Sequence, residues 1–178
     1  MAATPGAPTV EDYRFADDRR VPNNPRLPLL VYRGALQTGD DAAASCVALF
    51  DRNGWTGAWE NGVYRHHHYH SSAHEVLGIA AGWVRVRLGG EGGQNVELRA
   101  GDVVVIPAGV AHKNEGASPD LLVVGAYPRG QKPDMCRPGA TDRAGAALRI
   151  ASVPLPAGEP VYGTVGPLLE RWGAAERA

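Results

Sequence analysis

The sequence predicts an all-β fold with minor helices, on three observations. Glycine and proline, 23 and 14 of 178 residues, exceed one residue in six, which favours turns over long helices. From Trp55 to Tyr127, short apolar segments alternate with turn signals every few residues. No gap between those segments can hold the helix that a parallel sheet needs at each crossover. Short strands at this spacing imply a barrel or a sandwich, where closure or stacking protects the strand edges.

Taken in order, residues 1–26 are polar and punctuated by Pro5, Pro8, Pro22 and Pro25, and read as an N-terminal arm. The apolar stretch LPLLVYRGAL at 27–36 offers a strand. Asp40 to Arg52 reads as a helix capped by Asp40 or Asp41, with Ala43, Cys46, Val47 and Phe50 on one face and Asn53-Gly54 at its exit. Cys46 on that face is expected to be a small buried hydrophobe. Strands are then predicted at 55–60, 63–70, 74–80, 83–88, 95–99, 102–106, 111–115 and 121–127. The turns between them include Asn61-Gly62, Ala81-Gly82, Ala100-Gly101 and Pro107-Ala108-Gly109. GGEGG at 89–93 reads as a hairpin turn, since no helix follows it to build a phosphate loop. Past Pro128 the chain turns irregular. Asp142 to Val153 predicts a helix with Ala144, Ala147, Leu148 and Ala151 on a face and Pro154 ending it. The tail is expected to pack through Val161, Tyr162, Leu168, Leu169 and Trp172.

Composition narrows the functional classes. Apolar content of 44% supplies a sizeable core, and no apolar run is long enough to span a bilayer. The first residues lack a basic start and an apolar core of a secretory signal, so a cytoplasmic location is expected. A net charge of -1 with dispersed Lys and Arg argues against nucleic acid or an anionic membrane as partner. Cys46 and Cys136 then default to free thiols.

All six histidines lie between His66 and His112, five of them in the run HHHYHSSAH. In a strand, side chains at i and i+2 share a face, so His68 and His70 project together. After Ser71-Ser72-Ala73 the chain can return with Glu75, Leu77 and Ile79 on one face, and the turn at 107–109 brings back His112. Three imidazoles and one carboxylate suit one divalent transition metal, whereas calcium and magnesium prefer more oxygen ligands. The alternative is a metal-free polar pocket. His66 and Tyr64 are in phase with His68 and are the candidates for proton transfer. His67 and Tyr69 point the other way, towards packing or the surface, and His74, facing away from Glu75, is expected at the surface. Arg85 and Arg87 alternate with Val84, Val86 and Leu88 and should face solvent or a partner, with an anionic substrate inside as the alternative.

Two spaced motifs resemble those of the cupin family. Gly62, His68, His70, Glu75 and Gly82 match its first motif, and Gly101, Pro107, Gly109 and His112 match the opening of its second. The second motif usually closes with Asn four residues after its histidine, where this chain has Gly116, with Asn114 nearby. The phrases VPNNPRLPLLVYRGAL, SSAHEVLGIAAG and LLVVGAYPRGQ also look like the small bacterial YjlB-type cupins.

The resemblance implies a double-stranded β-helix (jelly-roll) barrel over most of 27–130, with the helix near 40–52 inside that span. A C-terminal helical and irregular extension follows at 131–178, all within one domain. It also implies a metal near one mouth of the barrel, held by His68, His70, Glu75 and His112, and frequently a homodimer. Iron, manganese, nickel, zinc, copper and cobalt all occur in the family. A metal with octahedral preference keeps two positions open on such a site, for water, dioxygen or a chelating substrate. The expected function is a metal-dependent enzyme acting on a small oxygen-rich molecule, with oxygenase ranked ahead of isomerase or lyase. The alternatives are a non-enzymatic module binding a small ligand or the metal, and a metal that only staples the barrel.

Overall fold

Two antiparallel sheets pack face to face in the computed structural model, which describes residues 9–139 and 142–177. The strands are β1 Val10–Phe15, β2 Asn24–Tyr32, β3 Trp55–Asn61, β4 Glu75–Ala81, β5 Trp83–Leu88, β6 Gln94–Arg99, β7 Val103–Ile106, β8 His112–Ala117 and β9 Leu122–Pro128. Helices are α1 Ala42–Arg52, α2 Arg143–Ser152 and α3 Pro167–Arg177. The larger sheet runs β1-β2-β7-β4-β9-β3 and the smaller β6-β5-β8. This is the predicted double-stranded β-helix, with the chain crossing between sheets from β4 to β5 and at each step from β6 to β9.

The inner strands of the larger sheet, β2, β7, β4 and β9, are buried on both faces, which is why they read as mainly apolar runs. Leu29, Val31, Leu77, Ile79, Val104, Ile106 and Val123 point inward, against Val84, Val86, Leu88, Val96 and Leu98 of the smaller sheet. The intervening residues, Leu30, Tyr32, Val76, Val103, Val105, Val124 and Ala126, point outward beneath Cys46 and Phe50 of α1 and Leu168 and Trp172 of α3. Gly78 lets α1 come close, since a Cβ there would lie 2.5 Å from Cys46 Sγ. Burial also pushes the Cys46 thiol up to about 12, so it packs as an inert small hydrophobe. The two cysteines are both buried and unpaired.

Several elements differ from expectation. The middle of the predicted arm is edge strand β1, paired with β2, and β2 begins at Asn24 rather than residue 27. The first eight residues of that arm, with Pro5 and Pro8, lie outside the described residues. Prolines at 22 and 25 deflected the prediction, but Pro25 sits near the start of β2, where a missing N–H is tolerated. Residues 63–70 are not a regular strand: within them His68 and Tyr69 form isolated bridges, to His112 and Cys136.

Helix α1 starts at Asp41 without a side-chain cap. In α2, by contrast, the Asp142 carboxylate accepts from Gly145 N–H at 3.2 Å. The predicted face of α2 is the wrong one, because Ala146 and Ile150 are buried and Leu148 is 73% exposed. Alanines bias a helix weakly, and the bulkier Ile150 docks beside Tyr69, Ala108 and Cys136. The tail forms α3, burying Leu168 and Trp172, while Tyr162 stays 41% exposed. No helix among the described residues is long and apolar enough to cross a membrane.

Candidate metal centre

His68, His70, Glu75 and His112 meet in the space between the two sheets, and all four are buried. Glu75 opens β4 and His112 opens β8, so both are fixed by sheet register, with Glu75 opposite Ile106 and His112 opposite Leu88. His68 and His70 sit on the preceding loop, which is anchored to β8 by reciprocal backbone hydrogen bonds between His68 and His112. The turn at 107–109 locks this arrangement. Gly109 N–H donates to the His70 carbonyl at 2.8 Å, and Ala108 N–H donates to His74 Nδ1 at 2.9 Å. Gly109 has φ +96°, and a Cβ there would lie 2.3 Å from the Asn23 carbonyl, so only glycine fits.

Each imidazole of the cluster is oriented by a backbone carbonyl. His68 Nδ1 faces His66 O at 3.4 Å, His70 Nδ1 faces Asp134 O at 2.5 Å, and His112 Nδ1 faces Val110 O at 3.2 Å. A carbonyl only accepts, so Nδ1 carries the proton and Nε2 keeps its lone pair. Ring nitrogens of the three histidines lie within 4.8 Å of one another. Glu75 Oε2 is 3.3 Å from His70 Nε2 and 3.2 Å from His112 Nε2. Those distances suit ion pairs, yet neither ring points a hydrogen at Oε2, which is buried without a hydrogen-bond partner. Lone pairs and an orphaned carboxylate oxygen that converge on one point fit a cation there better than they fit one another. The three histidines form the tight group, and Glu75 closes it against two of them.

Electrostatics keep His68 neutral and Glu75 ionised, as that donor set requires. Burial pushes His68 down to about 2, reinforced by His112, so it is a neutral ring at neutral pH. Burial would raise Glu75, but His70 and His112 outweigh it and hold the carboxyl well below the usual range. Burial likewise opposes charge on His70, and the Glu75 carboxylate more than offsets it, raising that histidine.

Other predicted site residues scatter. Tyr64 lines the cavity above the cluster and is 53% exposed at its mouth. His66 stacks behind Tyr64 at 5.1 Å between ring centroids and does not line the cavity. His67 turns the other way, with Nε2 3.0 Å from Glu91 Oε1. Tyr69 is buried in packing beside α2. Arg85 and Arg87 face outward, Arg85 towards Glu97 and Arg87 towards the Glu91 carbonyl. His74 corrects the expectation of a surface residue: it does face away from Glu75, but it is fully buried because Trp172 of α3 covers it, ring centroids 4.7 Å apart. Gly116, where the second motif departs from its usual Asn, receives a local bond instead, Asn114 Oδ1 accepting from Gly116 N–H at 2.7 Å.

Three groups escaped sequence reasoning. Trp59 and Tyr127 line the cavity, and Asp134 receives His70 through its carbonyl and binds the Ser71-Ser72 turn through its carboxylate. Gly125 was the available signal for the first two, a glycine in the middle of an apolar strand that implies a close neighbour. Nothing local marked Asp134. The cavity has a volume of about 380 Å³ and opens to solvent past Tyr64 and Met135.

Residues 58–124 match the cupin domain family. The Bacillus subtilis (strain 168) protein described as uncharacterized protein YjlB is 43% identical over 162 residues, covering 91% of this chain and 96% of that one. Among solved structures, acireductone dioxygenase from Bacillus anthracis, with a cadmium ion in its active center, aligns at 18% identity and TM-score 0.38. That alignment covers 54% of this chain and 70% of the other. The dTDP-6-deoxy-D-glucose-3,5-epimerase RmlC from Legionella pneumophila aligns at 14% identity and TM-score 0.38, covering 68% and 72%. On its two motifs, its facing sheets and this extent of shared sequence, the chain belongs to the cupin family, as a cupin of the YjlB type.

Proposed function

We propose that this chain is a metal-dependent enzyme that acts on a small oxygen-rich molecule, with His68, His70, Glu75 and His112 holding one divalent transition metal. One observation carries the proposal: three rings, each with Nδ1 committed to a carbonyl, turn Nε2 towards a cavity that stays open to solvent. A metal that merely staples a fold is closed off by protein ligands, whereas a catalytic one keeps an accessible side. When bound, the metal would supply Lewis acidity or a redox couple.

The chain's own groups favour oxygenase chemistry over isomerase or lyase chemistry. Apart from the cluster, the ionisable residues lining the cavity among the described residues are Glu60, Tyr64 and Tyr127. Glu60 is exposed at the rim. Burial raises Tyr127, so its phenol remains a donor at neutral pH and is a poor base. A site with so little acid–base equipment suits chemistry that a redox metal carries itself.

Metal content by mass spectrometry tests the proposal, comparing untagged protein with His68→Ala and His112→Ala variants. Close to one equivalent of iron, lost in both variants, together with dioxygen uptake on diols, enols or keto acids, is the expected outcome. Ligand binding without turnover across several metals would point to a binding module instead. No retained metal after reconstitution would overturn the metal centre itself.

A further inference from the structure

The cavity wall differs in chemistry from its histidine floor. Beyond the cluster it includes Trp59, Val63, Tyr64, Leu77, Tyr127 and Met135, with Asn61 as its one amide side chain. No lysine or arginine lines it among the described residues, and its one charge outside the cluster is Glu60 at the rim.

Trp59 is placed there by the backbone. Between Thr56 and Trp59 the register of β3 against β9 shifts at Gly57, whose φ is +68°. A bulge of this kind re-aims the following side chain. The indole then lies across Gly125, where a Cβ would fall 2.1 Å from the ring. Trp59 Nε1–H donates to Tyr127 Oη at 2.8 Å, which uses an acceptor site of the phenol and leaves its O–H, beside the Glu75 carboxylate, to donate into the site.

A phosphate, a sulfonate or a second carboxylate on the substrate would leave water here without meeting a cation, and burying an unpaired charge is costly. A flat apolar body instead gains contact with Trp59 and Leu77. The volume, about 380 Å³, lies towards the small end of ligand pockets.

Resting on the metal-centre reading above, we infer that the substrate is a small planar chelator of the enediol or catechol type. Its two adjacent oxygens face the histidine cluster, one of them accepting from Tyr127 Oη. The rest of the molecule is uncharged and packs against Trp59 and Leu77.

The test uses protein loaded with zinc, which cannot oxidise the probes, with its zinc content measured first. Catechol and catechol-4-sulfonate are then titrated by calorimetry. The sulfonate makes the diol more acidic and the better chelator in free solution, so a preference for catechol must come from the cavity. Catechol is expected to bind at least about tenfold tighter than its sulfonate, a modest allowance for an unpaired buried anion. Tyr127→Phe should weaken catechol by about fivefold or more at unchanged zinc content, as expected for one lost hydrogen bond. Glu60→Lys, at an exposed position, should narrow the preference. Equal affinities, tighter sulfonate binding, or no catechol binding to a protein that holds zinc would overturn the substrate class and leave the metal centre standing. Zinc that is not held, or is held equally after His68→Ala and His112→Ala, would overturn both.

Discussion

Replacing Asp134 by alanine should loosen the segment that orients His70. Asp134 Oδ1 accepts from Ser71 N–H at 2.6 Å and Ser72 N–H at 3.3 Å, and Oδ2 accepts from the Ser71 hydroxyl. Arg149 Nε lies 3.7 Å from the same carboxylate and donates to Ser71 Oγ at 2.7 Å. Together these contacts hold 132–136 against 69–72, where Tyr69 and Cys136 exchange backbone hydrogen bonds. That placement brings the Asp134 carbonyl to His70 Nδ1. Each hydrogen bond to a charged group contributes about 1.5–3 kcal/mol, but water replaces part of the loss because the Asp134 side chain is 33% exposed. The expected cost in stability is therefore about 2–3 kcal/mol rather than the sum of the bonds. Losing the partner that orients a ligating histidine typically lowers metal affinity about 10–100-fold. Competition against a chromophoric chelator at neutral pH would measure it for wild type, Asp134→Ala and Asp134→Asn. The asparagine variant keeps an acceptor for Ser71 N–H and should lose less. A folded Asp134→Ala protein whose metal affinity stays within about twofold of wild type would refute a role for this segment in orienting His70.

Four further outcomes are expected. Gly125→Ala sets a methyl 2.1 Å from the Trp59 ring, so it should cost about 1–3 kcal/mol and shift the Trp59 fluorescence, and an unchanged melting curve and spectrum would contradict the close approach. Trp172→Ala removes the cover of His74 and the bond from Nε1 to the Pro28 carbonyl, at an expected cost of about 3–5 kcal/mol in urea unfolding. Burial raises the pKa of Glu159, outweighing the Tyr32, Tyr162 and Leu168 donors. Its contribution to stability is then fullest below the unfolded carboxyl value of about 4.3 and is lost as pH rises through the folded value. The stability gap between wild type and Glu159→Gln should therefore shrink as pH rises, and a widening gap would show the charged form to be the favoured one. Zinc at 100 times its dissociation constant should stabilise the protein by about 2.7 kcal/mol, and a chelator or His112→Ala should abolish that gain in a thermal melt.

Much of the fold could be read from the sequence because its period is a local property. The runs LLVY, VVVI and LVV are apolar on both faces, so strands were evident, and the turn glycines 82, 101 and 109 all occupy positive φ. What covers each face is a long-range fact. The residue phase at His74 was right, facing away from Glu75, yet the expected solvent on that side is replaced by Trp172, 98 residues later in the chain. The α2 face failed for a related reason, since an alanine-rich helix turns towards whichever of its two large apolar residues finds a site to bury it, here Ile150 rather than Leu148.

The histidine cluster was legible even though its local reason was not the expected one. His68 and His70 do not lie on a regular strand, so their common direction does not come from a pleat. It comes from one bridge to His112, one bond from the Gly109 turn to the His70 carbonyl, and carbonyls that fix each ring. A motif at fixed spacing therefore records the outcome of several long-range constraints that no periodicity argument contains. Asp134 shows the consequence. It binds His70 from 64 residues away through its main chain, and a carbonyl is common to all residues, so only its carboxylate, which holds that carbonyl in place, is open to selection by residue type. Such a residue becomes visible once the strap is folded onto the Ser71-Ser72 turn. For the same reason, substitution there tests the site more sharply than removal of a ligand, because it leaves every metal-facing group in the chain and alters only how one of them is held.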